Sequence, residues 1–336
     1  MRVLVTGGAG FIGSHTIVEL LNKGHEVICV DNFCNSKRGV VDAIQKITGK
    51  PFTLYVLDIC DFHSMESVFR NERIDCVIHF AALKSGADSI RSPGTYYQNN
   101  ITSTYNLVTL MERYGVDKIV FSSSATVYGD CANVPIKESE PIGKVISPYG
   151  MTKYLDELYL KDRSNSMRLF KCVAFRYFNP IGAHPSGLIG EDSPDDVPNN
   201  LMLYLLKVAN KELPYLNIFG NDYQTPDGSG IRDFVHVVDL AIGHVAALDF
   251  FPKMEERYFE VFNLGTGKGH TVLELVRTFE NVTGTQVPIR ISGRRPGDVA
   301  ISYASVKKAN DEMGWKARFS LDDCLRDAWR FKKQKQ

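Results

Sequence analysis

The opening 31 residues constrain this chain more than any other stretch. Arg2-Val3-Leu4-Val5-Thr6 reads as a strand, and Gly7-Gly8-Ala9-Gly10-Phe11-Ile12-Gly13 reads as a turn. Ser14 to Asn22 reads as a helix, Gly24 as its stop, and His25 to Asp31 as a second strand. Gly8, Gly10 and Gly13 fit G-x-G-x-x-G, while Gly7, Gly10 and Gly13 fit the related G-x-x-G-x-x-G. Glycines at that turn let backbone N–H groups approach a pyrophosphate at a helix N-terminus. Asp31 closes the second strand, placed to accept from a ribose hydroxyl. Strand, glycines, helix, strand and acid in register point to dinucleotide binding. A carboxylate at position 31 repels a 2′-phosphate, which favours NAD over NADP. Lys37-Arg38 could pair with such a phosphate, but solvated charges on the next helix are the plainer reading.

The alternation continues. Phe52 to Leu57 reads as the third strand. Asp58-Ile59 follows, either flanking an adenine or forming a plain turn. Asp75 to Phe80 is the fourth strand, ending in the small pair Ala81-Ala82, where a cofactor can lie close to the backbone. His79, inside this apolar run, reads as a satisfied core or sheet-end histidine rather than a ligand. A helix is expected from about Tyr96 to Tyr114. Lys118 to Phe121 is the fifth strand, opening into Ser122-Ser123-Ser124, and Val173 to Phe178 is the sixth. Strands alternating with helices predict a parallel, doubly wound α/β sheet, with ligands at the strands' carboxyl ends.

Beyond Asn179 the texture changes. Pro180 to Asn200 is rich in Pro, Gly and Asp, and loops of this length are usually functional or disordered. Helices are expected at about 201–210, 238–250, 305–313 and 321–331. Strands are expected at 216–219 and 260–264, the latter as a possible seventh strand. Two domains follow from this reading. The nucleotide domain takes 1–179 plus about 236–264. A smaller mixed α/β domain of about 180–235 plus 265–336 holds the substrate in a cleft.

The spacing of Tyr149 and Lys153 places a phenol and an ammonium on one helix face, after Pro148 opens the helix. A nearby ammonium favours the phenolate, so the pair can act as a base near neutral pH. Alone it is a weak signal, because Tyr and Lys fall at this spacing on many exposed helices. Composition removes other classes. With 39 basic and 39 acidic residues, nothing asks for nucleic acid or an anionic membrane. No apolar run is long enough for a membrane span, and the chain opens directly on a strand, so no signal peptide is expected. Seven scattered cysteines without C-x-x-C suit reduced thiols in the cytoplasm and argue against a zinc site or other metal.

Several stretches together resemble the extended short-chain dehydrogenase/reductase superfamily, with its Rossmann-type fold. They are Thr6 to Gly13, Ser122-Ser123-Ser124-Ala125-Thr126-Val127-Tyr128-Gly129, Tyr149-Gly150-Met151-Thr152-Lys153 and Arg176-Tyr177-Phe178-Asn179. Within it, Phe80-Ala81-Ala82-Leu83-Lys84, Asn179 to Gly187, Pro198-Asn199-Asn200-Leu201-Met202 and Phe219-Gly220-Asn221-Asp222-Tyr223 are similar to the UDP-galactose (UDP-glucose) 4-epimerase family. The similarity spans nearly the whole chain. It implies that Tyr149 takes the proton of the sugar 4-hydroxyl while the 4-hydride passes to NAD. Lys153 would hold the tyrosine ionised and bind the nicotinamide ribose, and Ser124 would bond the reacting oxygen. The 4-keto sugar then turns and takes the hydride back on its other face, so NAD stays tightly bound.

The same resemblance implies a cofactor shell of Gly7, Gly10, Phe11, Ile12, Gly13, Asp31, Asn32, Phe33, Cys34, Asn35, Ser36, Asp58, Ile59, Phe80, Ala81, Ala82, Leu83, Lys84, Asn99 and Phe178, besides Ser124, Tyr149 and Lys153. The UDP-sugar shell would be Lys84, Ser124, Tyr149, Asn179, Asn200, Leu201, Asn217, Phe219, Arg232, Arg295 and Asp298, with Ser302 at its edge. Arginine forks suit a pyrophosphate. Phe234 stands where the family often has Tyr. The family is usually a homodimer packed through helices such as those near 96–114 and 151–164.

Related 4,6-dehydratases and decarboxylases place acids just after the catalytic Ser or Thr. Ala125 and Thr126 stand there and exclude both. A 4-keto sugar-nucleotide reductase and a non-catalytic NAD-binding sensor remain as rivals. Epimerases restricted to UDP-glucose and UDP-galactose carry Tyr four residues after the Asp of Arg-Arg-x-Gly-Asp. Here that position is Ser302, which leaves room for an N-acetyl group and predicts activity on UDP-GlcNAc and UDP-GalNAc as well. A one-residue slip would put Tyr303 there instead.

Overall fold

A computed structural model describes residues 1–143, 145–192, 198, 200–295 and 297–335. Asn199 and Pro296, in two of the motifs above, lie outside the described residues. The chain runs β1 (Arg2–Thr6), α1 (Phe11–Asn22), β2 (Glu26–Asp31), α2 (Gly39–Thr48), β3 (Thr53–Val56), α3 (Phe62–Asn71) and β4 (Cys76–His79). It continues with α4 (Gly86–Arg91), α5 (Pro93–Arg113), β5 (Lys118–Ser124), a 3-10 turn (Ala125–Tyr128), α6 (Pro148–Ser166), β6 (Lys171–Tyr177) and β7 (Asn179–Ile181). Then come α7 (Leu201–Ala209), β8 (Leu216–Phe219), β9 (Ile231–Arg232), β10 (Phe234–His236), α8 (Val237–Phe250) and β11 (Tyr258–Leu264). The last elements are β12 (His270–Thr271), α9 (Val272–Thr283), β13 (Ile289–Ser292), β14 (Ile301–Ser302), α10 (Lys307–Met313) and α11 (Leu321–Gln334).

Seven strands form one parallel sheet in the order β11-β6-β5-β4-β1-β2-β3. The doubly wound sheet expected from the alternation is present, and residues 258–264 supply its seventh strand beside β6. Alternate side chains feed the two faces, as the period of two requires. Val3 and Val5 join an apolar layer with Ile17 of α1 and Leu248 of α8, whereas Leu4 joins Val68 of α3 and Leu107 of α5. The strand order reverses between β1 and β4, which opens a crevice at their carboxyl ends.

A third apolar cluster joins Ile181, Leu205, Phe234, Phe279 and Leu325, among others, and contains no residue of the large sheet. Short strand pairs surround it: β7 with β10, β8 with β13, and β9 between β12 and β14. Helices α9 and α11 each begin with a reciprocal capping box, Thr271 with Glu274 and Ser320 with Asp323. Helix α9 was not expected, although its Thr-x-x-Glu start marks it in the sequence.

Candidate active site

The glycine turn is held by close backbone packing. Gly7 has φ +68°, and a Cβ there would sit 2.7 Å from the Ala81 nitrogen. A Cβ on Gly13 would overlap the Gly7 carbonyl oxygen. Only glycine lets β1, α1 and the end of β4 approach this closely. Helix α1 then begins at Gly10 with no side-chain cap and no acid in its first turn. Seven later helices, α3, α4, α6, α7, α8, α9 and α11, are capped by side chains. An uncapped helix start behind glycines is a seat for an anionic group, so the residues fit a dinucleotide's pyrophosphate. Phe11 and Ile12 open the helix.

Asp31 is buried at the end of β2. Its carboxylate accepts from Ala9 N at 2.9 Å, Phe33 N at 2.8 Å and the Ser36 hydroxyl at 2.9 Å, and so shapes the 31–36 loop. Asn32 donates to Asp58 at 3.2 Å and accepts from Cys34 N, which joins that loop to Asp58-Ile59. Lys37 spends its charge on Asp192, and Arg38 lies over the Phe33 ring. Both are exposed, as the plainer reading expects. Cys34 and Asn35 are exposed. Asn100, next to Asn99, accepts from Leu83 N and donates to Thr152, tying the 80–84 segment to α6. His79 is buried and bonded to Thr6 and Thr104, the satisfied histidine expected.

Ser124 ends β5, where its hydroxyl accepts from Thr126 Oγ1 at 2.9 Å. Ser147 caps α6 and Pro148 occupies its first turn, bringing Tyr149 to Ser124. Burial pushes the Tyr149 phenol up to about 12, against a Ser124 hydrogen bond that pulls it down. Burial thus outweighs the lowering expected from Lys153. Lys153 is itself buried, at 2% exposure, with its Nζ 4.8 Å from the centre of the Phe121 ring. Burial also pulls the Lys153 ammonium down, while Asp156 and then Glu157 hold it up. Desolvation thus acts against both charged forms at once. Sequence reasoning missed Asp156 and Glu157, because acids inside a helix carry no signal of their own.

The residues expected around a UDP-sugar come from eight separate stretches. Arg232 on β9 pairs with Asp298, and the Arg295 guanidinium lies 4.2 Å from the centre of the Phe219 ring. Asn217 on β8 donates to Tyr204 at 3.1 Å and accepts from Ser292. Asn200 caps α7 just before Leu201, and Asn179 opens β7 beside the buried Phe178. Glu191, absent from the sequence reading, takes both Lys84 at 2.8 Å and Asn200 at 3.0 Å. Phe234 packs in the third apolar cluster.

Strand β14 pairs with β9 so that Ser302 lies opposite Arg232 and Ile301 opposite Ile231. Tyr303 faces the other way. Its ring would lie 3.2 Å from a Cβ on Gly269, which would also meet Ile231. Ser302 therefore shares the Arg232 face, and Tyr303 does not.

Over residues 4–328 the chain matches the family described as GDP-mannose 4,6 dehydratase. It is 50% identical to the UDP-glucose 4-epimerase of Bacillus subtilis (strain 168), covering 98% of this chain and 96% of the relative. The chain belongs to the UDP-glucose 4-epimerase family. Two solved epimerases share the architecture. The enzyme from Bifidobacterium longum, in complex with NAD+ and UDP, superposes with a TM-score of 0.95 at 47% identity, covering 99% of this chain and 98% of that one. The enzyme from Stenotrophomonas maltophila, with bound NAD and formylated UDP-arabinopyranose, gives 0.96 at 46%, covering 100% and 98%. The epimerase family fits the site better than the dehydratase description does. Ala125 and Thr126 follow Ser124 where dehydratase chemistry needs acids. Among the described residues, no helix is long and apolar enough to cross a membrane, and no cluster could hold a metal ion.

Proposed function

We propose that the cleft carries out NAD-dependent inversion at C4 of UDP-hexoses, interconverting UDP-glucose and UDP-galactose. The observation that carries this reading is the meeting of Ser124 and Tyr149, above the buried Lys153, at the sheet edge beside the glycine turn. NAD held by the glycine turn and Asp31 would supply the hydride acceptor and donor for C4. Tyr149 Oη takes the proton of the 4-hydroxyl and later gives it back, and Ser124 bonds the reacting oxygen throughout. The Lys153 charge favours the Tyr149 phenolate over the phenol. Arg232 and Arg295 hold the UDP pyrophosphate, while Asn179, Asn200, Leu201, Asn217, Phe219 and Asp298 line the rest of the nucleotide and sugar. The glycine turn, Asp31 to Ser36, Asp58-Ile59, Phe80 to Lys84, Asn99 and Phe178 enclose the dinucleotide.

The purified protein incubated with UDP-galactose and no added cofactor should yield UDP-glucose, and its denatured supernatant should contain NAD. Absence of product, or a need for stoichiometric NADPH, points to the reductase. Bound NAD without turnover of any sugar nucleotide points to the sensor.

The β14 register favours a wider substrate range. With Ser302 on the Arg232 face and Tyr303 turned away, the space beside the sugar's C2 admits an acetamido group, so UDP-GlcNAc and UDP-GalNAc are substrates too. Wild type should convert both classes, and Ser302→Tyr should lose the N-acetylated ones selectively. A wild type that ignores UDP-GlcNAc overturns this part alone.

The third apolar cluster supports a substrate domain of about 180–235 plus 265–336, set against a nucleotide domain of 1–179 plus about 236–264. Tyr97, Tyr105, Leu155 and Leu158 are exposed on α5 and α6, the faces through which a homodimer would pack. All seven cysteines are free thiols, which suits the cytoplasm.

A further inference from the structure

Asp233 sits between β9 and β10 and is 0% exposed. A carboxyl this deep is costly unless its oxygens find donors. It has four donors. Oδ1 accepts from Thr266 N at 2.7 Å and from the Thr266 hydroxyl at 2.6 Å. Oδ2 accepts from Gly267 N at 3.0 Å and from Ala304 N at 3.1 Å. Three of these donors are backbone N–H groups, which can only donate, so both oxygens accept. The turn after β11 is shaped to admit them. A Cβ on Gly265 would lie 2.5 Å from Oδ2, so only glycine lets that backbone pass.

The main chain of Asp233 is engaged as well. Its N–H donates to the Ser302 carbonyl at 3.1 Å, and its own carbonyl accepts from Asn179 N at 2.9 Å. One residue therefore ties together the start of β7, the turn after β11 and the segment 302–304. Both β9 and β14 are two residues long, too short to hold a register unaided. Asp233 grips β14 on both sides of Tyr303, at Ser302 O and at Ala304 N, and a slip of one residue breaks both bonds. Arg232 pairs with another side chain, Asp298, whereas the Asp233 carboxylate grips backbone in two separate segments.

We propose that Asp233 is a positioning residue for the UDP-sugar: it fastens the segments that carry Asn179, Arg232 and Ser302 to one another and to the end of β11. It acts through those residues, whose spacing it fixes. This rests on the epimerase reading, which is what gives Asn179, Arg232 and Ser302 to the substrate. Without the carboxylate, three buried N–H groups lose their acceptor, and the segments that bear the substrate residues part.

The test is Asp233→Asn in the full chain, which keeps the side chain's size and turns one acceptor oxygen into an amide that faces N–H donors. UDP should bind about tenfold more weakly in a calorimetric titration, a loss of about 1.4 kcal/mol, and KM for UDP-galactose should rise in step while kcat stays within about threefold. NAD in the denatured supernatant should match wild type, because the glycine turn is untouched. A folded variant with wild-type UDP affinity and KM overturns the proposal, even if it melts earlier, since Asp233 would then serve stability alone. Loss of NAD alongside UDP overturns it too, and so does a fall in kcat larger than the rise in KM. Should Asp233→Asn fail to fold, Thr266→Val removes one donor hydroxyl and decides: UDP affinity should fall in the same direction by less, and an unmoved affinity overturns the proposal. A wild type that binds no UDP overturns the functional reading and this proposal together, whereas equal binding by wild type and variant overturns this proposal alone.

Discussion

Around Gly7 and Gly13 the cleft wall is backbone against backbone, whereas around Arg232 it is side chain against side chain. On the nucleotide side, 31 contiguous residues build the turn, and a single Cβ would break it. On the sugar side, Lys84, Glu191, Asn200, Arg232 and Asp298 meet from distant stretches through ion pairs and hydrogen bonds. Backbone contact leaves no room for adjustment. Side-chain contact can be rebuilt by moving a rotamer. The nucleotide side should therefore be brittle and the sugar side tolerant, except where a group does chemistry.

Tyr149→Phe tests that exception and has the largest expected effect. It keeps the ring and removes the proton acceptor, so turnover should fall by about 10² to 10⁴, with UDP binding retained in a calorimetric titration. A near-wild-type rate would put the base elsewhere. Next comes Gly13→Ala, a single methyl group on the brittle side. Forcing it against the Gly7 carbonyl should cost about 1–3 kcal/mol of stability, seen in urea melts, together with loss of retained NAD. If Gly13→Ala keeps both, close backbone packing is not what holds the turn.

Acid sharpens the comparison further. His15 on α1 and His79 on β4 are lowered to about 3, and His244 on α8 to about 4, chiefly by burial. All three lie on the nucleotide side. Because the folded values lie below the unfolded one, the unfolded chain binds these protons first as pH falls. Their contribution is complete above about 6.5 and is lost progressively toward 3 to 4. His79→Gln should make the fall of stability between pH 6.5 and 4.5 shallower by about 1.4 kcal/mol per pH unit. Equal slopes in the variant and wild type would mean that His79 does not stay neutral. The smallest effect is expected on the tolerant side. Lys335 pairs with Asp192 at 2.7 Å with both partly exposed, so Lys335→Ala should cost no more than about 1 kcal/mol and leave kcat unchanged. A larger loss would show that this ion pair is as rigid as the glycine turn.

The proposed catalytic elements were legible wherever chemistry and local pattern coincide. Pro148, Tyr149 and Lys153 sit at a helix start that proline and a serine cap announce, and the strands of the sheet show as apolar runs between turn residues. Reading the phenol's acidity was less secure. Helical spacing puts an ammonium on the tyrosine's face but does not reveal how deeply both are buried, and burial opposes the charge on each. Glu191 was invisible for a different reason. It lies in an irregular loop, and only its contacts with Lys84 and Asn200 mark it.

By itself the sequence determined the βαβ turn, the parallel sheet and the Ser124, Tyr149 and Lys153 set, because each is encoded by neighbours within one or two elements. Tertiary structure alone decided which of Ser302 and Tyr303 shares the Arg232 face and which partners occupy Lys84. Strands β9 and β14 are two residues each, too short to carry a period. Their register comes from pairing between segments some 70 residues apart, and a shift of one residue would exchange serine for tyrosine at the same place.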